Sequence, residues 1–210
     1  VGRAYKFSPL DFSPAVERAC YKAELNFLDA NLHFPVEREK AIISMAMRDV
    51  LDMHLARAAE RAGVKVIEQS TVHGVRQNAG DVSVESPGGI LQAKILIAAD
   101  GALSPVAKLA GWSETRRLIP ALEYEVQVPA RIFGRLAARP RFDFGVVPGG
   151  YAWTFPKASH LSMGVLTTHR SGVNLESYFR KYLMAVGVDE VIGEVRHGFQ
   201  IPISPRKDGF

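Results

Sequence analysis

The chain has 210 residues, of which 47% are apolar and 23% are charged, with a net charge of +4 and a single cysteine, Cys20. At this length one large domain or two small ones can bury a core, and the composition is typical of an ordinary soluble protein. One thiol excludes an internal disulfide, no apolar run approaches the roughly 18 residues that span a bilayer, and the N-terminus has no signal-peptide pattern, so we expect a cytoplasmic protein.

The first predicted elements are two strands and a helix. Apolar and polar residues alternate over 19–27, and residues 32–36 can return as the second strand of a hairpin. Cys20 lies on the more polar face without a neighbouring base, so we interpret it as structural. The six histidines have no metal-ligand spacing, and we predict no metal site.

A helix is predicted from Arg48 to about Ala62, ended by Gly63. A cation is unfavourable at the start of a helix, because the helix dipole is positive there. Arg48 therefore suggests an anionic ligand near this end, although an exposed arginine with no ligand is the alternative.

Short strands are then predicted at residues 64–68, 71–77 and 81–85, and a last strand at 91–98. The apolar run Ile95–Ala98 predicts a strand buried on both faces, with Asp100 at its carboxyl end, Gly101 in a turn and Ser104 capping a helix. An acid at this place can accept hydrogen bonds from a nucleotide hydroxyl. It can equally do no more than close the turn.

The second half predicts an antiparallel sheet covered by one helix. Strand patterns occur at residues 122–128, 142–147, 151–155, 161–167 and 195–203, and a helix pattern at residues 174–186. Four arginines between residues 131 and 141 indicate either a solvated face or contact with an anionic membrane or acidic head group. Nothing in the sequence predicts nucleic-acid binding.

Tyr151, Trp153 and Phe155 project from one face of a predicted strand, because side chains alternate with period two. The facing strand offers Leu161, Met163 and Val165, so the pattern predicts either an apolar pocket or an ordinary core.

Two motifs resemble one family. Ala99–Val106 is similar to the ADGxxSxV motif of the flavoprotein monooxygenase and geranylgeranyl reductase superfamily. Pro148–Pro156 matches PxxYxWxFP, which resembles the substrate-domain signature of geranylgeranyl reductases. The resemblance implies an α+β (α/β) fold, with part of an FAD-binding, glutathione-reductase-like domain in residues 48–116. Residues 1–47 would then be a β-hairpin segment of the substrate domain, and residues 117–210 its antiparallel sheet covered by a helix.

The resemblance also implies a function, the saturation of double bonds in a geranylgeranyl (polyprenyl) chain on a lipid or chlorophyll-type substrate. FAD would be the cofactor, with Arg48, Asp100 and Gly101 binding it, and NADPH or another reductant would donate electrons. Tyr151, Trp153 and Phe155 would line the substrate tunnel, peripheral membrane contact would accompany a lipid substrate, and no proton donor is assigned.

An aromatic monooxygenase and a non-catalytic domain for an apolar ligand are the alternatives. The sequence contains no GxGxxG loop for the FAD pyrophosphate, so it resembles a central fragment of a longer flavoprotein.

Overall fold

The computed structural model describes residues 9–169 and 171–205. Two compact units divide the chain. The first combines the residues up to Val64 with Ile119–Phe199, and the second combines Lys65–Leu118 with the residues from Gln200 onward.

The strands of the first unit lie before and after the second unit in sequence. They are β1 (Arg18–Cys20), β2 (Lys22–Phe27), β3 (Leu32–Glu37), β4 (Ile43–Met45), β8 (Leu118–Gln127), β9 (Arg141–Phe144), β10 (Gly150–Pro156), β11 (Leu161–Thr167) and β12 (Gly193–Pro202). The strands of the second unit are β5 (Gly74–Gln77), β6 (Val82–Ser86) and β7 (Gly89–Ala93). The helices are α1 (Arg48–Arg61), α2 (Pro105–Leu109), α3 (Ala130–Leu136) and α4 (Leu175–Ala185), and a 3-10 turn covers Ser13–Ala15.

A seven-stranded sheet organises the first unit, in the order β12-β8-β11-β10-β9-β2-β3. The pairs β10–β11, β10–β9, β11–β8 and β2–β3 are antiparallel, whereas β2 pairs with β9 in parallel. The predicted β2–β3 hairpin is confirmed, with Asn31 in the turn at a φ of 52°. The predicted α+β (α/β) fold class is confirmed, and the parallel β2–β9 pair departs from a purely antiparallel sheet.

Helix α4 covers one face of this sheet, as the sequence predicts. Asn174 caps it by accepting the amide of Ser177 at 3.1 Å, and Phe179 and Tyr182 are fully buried. The core also contains apolar side chains of β8 and β11, including Leu122, Tyr124, Val126, Leu161, Met163 and Val165.

This core corrects the prediction for β11. Leu161, Met163 and Val165 do not face the same side as the three aromatics of β10, because Trp153 is paired with Gly164. Alternation then turns the odd-numbered residues of β11 toward α4. Their predicted contribution to an apolar pocket beside Trp153 is therefore wrong.

Helix α3, which was not predicted, covers the first part of the arginine-rich stretch. Arg131 lies 3.0 Å from Asp189, and Arg135 donates to the carbonyl of Val186 at 2.8 Å. Arg139 pairs with Glu24 at 3.1 Å and Arg141 with Asp143 at 2.8 Å. All four guanidinium groups thus have partners within the first unit.

The second unit corrects two strand predictions. Its three strands form an antiparallel sheet in the order β5-β6-β7, but residues 64–68 and Ile95–Ala98 form no strand. Ile97 is 82% exposed, so the predicted burial of this run is wrong. The physical reason is that no strand among the described residues pairs with the run, and an apolar segment is buried only where another element covers it.

Helix α1 begins at Arg48 and ends where predicted, followed by Gly63 at a φ of 90°. None of its residues is buried, and Leu55 on its predicted apolar stripe is exposed. The helix therefore forms as the sequence predicts, while its stripe is no more than half-buried among the described residues.

Candidate functional site

The three aromatics predicted to form a substrate wall lie on one face of the seven-stranded sheet. The ring centroids are 6.1 Å apart for Tyr151 and Trp153, and 6.2 Å apart for Trp153 and Phe155. Trp153 packs over Gly164 so closely that a Cβ added to this glycine would lie 2.2 Å from the indole ring. The glycine therefore lets the indole lie against the sheet, and Trp153 is only 8% exposed.

The aromatic surface continues across the strands. Phe144 of β9 lies 5.4 Å from Tyr151, Phe27 of β2 stacks on Phe144 at 5.1 Å, and Phe34 of β3 meets Phe27 edge-on at 6.1 Å. Phe142 lies beside this series, 5.1 Å from Phe155. We call the series the aromatic row; its members are Phe155, Trp153, Tyr151, Phe144, Phe27 and Phe34.

Exposure increases along the aromatic row. Phe27 is 39% exposed and Phe34, on the edge strand β3, is 50% exposed. Burial raises the pKa of the Tyr151 hydroxyl, so this group is neutral at physiological pH. From Trp153 to Phe34 the row thus extends from a buried indole to a half-exposed sheet edge, which suits an elongated apolar ligand.

A polar cluster lies on the same face at the other side of Trp153. The hydroxyl of Ser162 donates to Glu123, and the ring of His160 pairs with Glu125. The strand pairing places Glu123 beside Gly164, and Ser162 lies between Glu125 and Phe155. The sequence showed both glutamates on the polar side of β8, but a single strand pattern does not reveal that this side adjoins the aromatic row.

The opposite face carries a buried polar network beneath the aromatics. The carboxylate of Asp143 accepts from Asn26 at 2.7 Å and from Arg141 at 2.8 Å, and the hydroxyl of Tyr182 also donates to it. The Tyr182 oxygen lies 2.8 Å from Thr154. Burial, reinforced by the negative charge of Asp143, holds the pKa of Tyr182 well above its usual value. The network connects α4 to β2, β9 and β10, three strands of the aromatic row.

Asp100 is exposed and closes the turn before α2. It accepts the amide of Val106 at 2.8 Å and the hydroxyl of Ser104, which in turn accepts the amide of Ala107 at 3.0 Å. Desolvation acts to raise the pKa of Asp100, but these hydrogen bonds outweigh it and lower the pKa. The predicted cap at Ser104 is present, and Gly101, predicted in the turn, has a φ of 99°.

Arg48 is the first residue of α1, and its side chain is 84% exposed. Its guanidinium donates to Asp52 at 3.0 Å, one turn further along the helix. This ion pair offsets the unfavourable position of a cation at the helix start, so the local conflict in the sequence has an explanation within the helix.

Asp100, Gly101 and Arg48 are compatible with a role toward FAD. Two hydrogen bonds leave lone pairs on the Asp100 carboxylate, which has about four acceptor sites. A Cβ at Gly101 would meet no atom within 4 Å, so the backbone there is open to a ligand. An ionised acid beside an open glycine suits the acceptance of a cofactor hydroxyl, and the exposed guanidinium suits an anionic group.

The sequence is similar to that of named prenyl reductases. The digeranylgeranylglycerophospholipid reductase of Methanocaldococcus jannaschii is 30% identical over 160 residues, which are 72% of this chain and 40% of that protein. The chloroplastic geranylgeranyl diphosphate reductase of Oryza sativa is 31% identical over 148 residues, 62% of this chain and 32% of that protein. The chain thus spans less than half the length of these relatives. No protein-family model matches the chain.

Solved structures share the fold. A geranylgeranyl bacteriochlorophyll reductase-like protein from Thermoplasma acidophilum superposes with a TM-score of 0.71 at 23% identity, over 96% of this chain and 56% of that one. The halogenase PltM, solved with phloroglucinol and FAD, superposes with a TM-score of 0.66 at 14% identity, over 91% of this chain and 45% of that one. Together with the named relatives, these matches confirm the resemblance to geranylgeranyl reductases and a fold found in FAD-containing structures.

Proposed function

We propose that this chain is the central part of an FAD-dependent geranylgeranyl reductase, which saturates double bonds of a polyprenyl chain carried by a lipid or chlorophyll-type substrate. The observation that carries the proposal is the aromatic row, a continuous apolar surface on the sheet that contains the PxxYxWxFP motif. The named relatives support the reaction class, since both are reductases of geranylgeranyl compounds by name.

In this proposal, Asp100 and Gly101 hold hydroxyl groups of FAD, and Arg48 approaches an anionic part of the cofactor. Reduced FAD, when bound, supplies a hydride for one alkene carbon, a proton adds to the other carbon, and NADPH or another reductant returns two electrons to FAD. Tyr151, Trp153 and Phe155 orient the prenyl chain and exclude water from the reacting carbon. The flat rings suit this task because they give a large apolar contact area with few rotatable bonds.

The reaction is tested by product mass. The full-length protein, chemically reduced, is incubated with a geranylgeranyl substrate without oxygen, and in parallel with air and candidate aromatic acids. We expect a gain of about two mass units per double bond, independent of oxygen. A gain of about sixteen units that requires oxygen would instead support the aromatic monooxygenase, and the absence of bound flavin from the intact protein would support an apolar-ligand domain without catalysis.

The role of the aromatic wall is tested by Trp153→Ala in the full-length protein. We expect kcat/KM for the prenyl substrate to fall by at least about tenfold, because the indole is the most buried ring of the row, while FAD content stays the same. Phe199→Ala is the matched control, since Phe199 is an exposed aromatic outside the row. Because removal of a buried indole also destabilises the fold, Trp153→Phe is measured as a milder variant. Equal losses of flavin and activity in both variants would contradict the substrate role.

Peripheral membrane contact is a further part of the proposal. It is supported by the exposed apolar side chains Ile90 and Leu91 on the edge strand β7. The arginines at 131, 135, 139 and 141 do not support it, because each is already paired. No helix among the described residues is long and apolar enough to cross a membrane. Co-sedimentation of the full-length protein with phospholipid vesicles tests the contact, and its absence at low salt would contradict it.

A further inference from the structure

We infer that the polyprenyl chain lies across the strands, along the aromatic row, with its distal isoprene units over Phe27 and Phe34, so that these two side chains determine the chain length that is accepted. The inference rests on the proposed function and adds a direction and a length determinant to it. Neither residue belongs to the PxxYxWxFP motif, and the sequence alone gave them no role in a site.

The polar cluster supplies the direction. From Trp153 toward β8, the sheet face presents Gly164 and then Glu123. From Phe155 in the same direction it presents Ser162 and then Glu125, which pairs with His160. Burying partly exposed carboxylates under a hydrocarbon chain is unfavourable, because they would lose water without gaining a hydrogen bond. Beside Tyr151 the face toward β8 is apolar, but Leu166 there is only 7% exposed and packs against Trp153, so it leaves little surface for a ligand. An apolar chain that contacts Trp153 is therefore expected to continue toward β9, β2 and β3.

In that direction the face is apolar over three strand spacings. Strands lie about 4.8 Å apart, so the path from β10 to β3 is about 14 Å long. Tyr151, Phe144, Phe27 and Phe34 follow one another at centroid distances of 5.1 to 6.1 Å. Leu25 and Leu32 flank the far end on the same face, since they alternate in register with Phe27 and Phe34.

The polar residues of these strands are turned away from the path. Asn26 and Asp143 lie on the opposite face in the buried network, and Arg141 contacts Asp143 there. His33 of β3 also contacts Asn26, at 3.0 Å. The path therefore offers neither a charge to repel an uncharged hydrocarbon nor a set of acceptors to hold a polar head group, and the occupant it fits is a linear, uncharged polyprenyl chain.

The exposure gradient is consistent with this occupant. Trp153 is almost completely buried, whereas Phe27 and Phe34 keep 39% and 50% of their surface accessible. A short chain that contacts only the buried end of the row does not reach these two rings, whereas a long chain covers them and removes their apolar surface from water. The preference for a long prenyl chain over a short one should therefore depend on Phe27 of β2 and Phe34 of β3, and not on the aromatics of β10.

The test compares two chain lengths on the same carrier. The full-length wild-type protein and the variants Phe27→Ala and Phe34→Ala are assayed with a geranyl and a geranylgeranyl substrate, which have two and four isoprene units. We expect kcat/KM for the longer chain to fall by about tenfold in each variant, and for the shorter chain to stay within about twofold, since apolar contacts discriminate by such factors. Phe34→Leu should restore most of the loss, because it restores apolar surface, and Phe199→Ala should change neither substrate.

The outcomes separate the inference from the proposed function. A wild-type protein that reduces neither substrate contradicts the proposed function. An active wild-type protein whose variants lose both substrates equally, or neither, overturns the inference. An equal loss with lowered thermal stability identifies Phe27 and Phe34 as a packing surface for other parts of the protein. If the variants lose affinity for phospholipid vesicles and keep the chain-length preference, these two side chains contact a membrane and the inference is likewise overturned.

Discussion

The two units use similar apolar sequences with opposite results. In the first unit, every residue of β11, Leu161–Thr167, is buried between neighbouring strands. In the second unit, the run Ile95–Ala98 is comparably apolar but exposed, and only Val82, Ser83 and Ser104 are buried among the described residues. The difference shows that an apolar run alone does not determine burial. Burial depends on a second element that packs against the run, and a short stretch of sequence does not contain that element.

The largest expected effect is a difference in unfolding free energy between apolar substitutions in the two units. Phe179→Ala should lower the free energy of unfolding by about 3–5 kcal/mol, because a fully buried ring that stacks on Tyr124 at 4.4 Å leaves a cavity. Ile97→Ala should change it by less than about 0.5 kcal/mol, because the side chain is exposed. Urea unfolding of the two variants measures both values. If Ile97→Ala lowers the free energy of unfolding as much as Phe179→Ala does, the apolar run is covered by another part of the protein.

The sequence predicted more of the first unit than of the second for the same reason. Strand β11, helix α4 and the β2–β3 hairpin follow from local patterns, because their turns and caps, such as Asn31 and Asn174, are encoded nearby. The parallel pairing of β2 with β9 joins residues more than 100 positions apart in the chain, and no local pattern contains it. A local pattern likewise does not show that no described element covers Ile95–Ala98.

The aromatic row, too, was predictable only where it follows from a local pattern. The alternation of Tyr151, Trp153 and Phe155 placed them on one face, and the structure agrees. The face adopted by β11 was not predictable, because apolar residues occupy both of its sides. Gly164 was the available signal, since a glycine between large residues marks a close approach, here by Trp153. Phe27 and Phe34 join the row only through strand pairing.

A smaller effect is expected in the network that joins α4 to the sheet of the first unit. Tyr182→Phe should lower the free energy of unfolding by about 1.5–3 kcal/mol at neutral pH, because it removes a buried hydrogen bond to the Asp143 carboxylate. The second unit has no comparable buried network among its described residues, so no single hydroxyl there should cost as much. Urea unfolding at about pH 8 measures the loss.

The stability difference between wild type and Tyr182→Phe should also depend on pH. The pKa of Tyr182 is well above the ordinary tyrosine value in the folded state, so its contribution to stability is fully present below that ordinary value of about 10. Above about pH 10 the unfolded chain loses this proton while the folded chain keeps it, and the contribution declines. The difference between wild type and Tyr182→Phe should therefore narrow at about pH 10.5. A difference that stays constant up to this pH would contradict the raised pKa.

A smaller effect on stability than that of Tyr182→Phe is expected in the second unit. Asp100→Asn should lower the free energy of unfolding by less than about 1 kcal/mol, because the acid is exposed and stabilises only the start of the short helix α2. The pKa of Asp100 is lowered, so its contribution is present above the ordinary carboxyl pKa and is lost as the pH falls through the lowered value.

The FAD content of the full-length Asp100→Asn protein decides what this acid does. If Asp100 binds the cofactor, the affinity of the variant for FAD should fall by at least about tenfold, while its stability hardly changes. The reason is that a hydrogen bond between a charged group and a ligand is worth about 1.5–3 kcal/mol where the ligand covers it. Asp81→Asn is the matched control, since Asp81 also closes a turn of the second unit by accepting from Asn78 at 2.7 Å. Unchanged FAD affinity in both variants would mean that Asp100 only closes its turn. In that case the second unit would differ from the first in function as well as in packing, because the aromatic row would be the better supported of the two candidate sites.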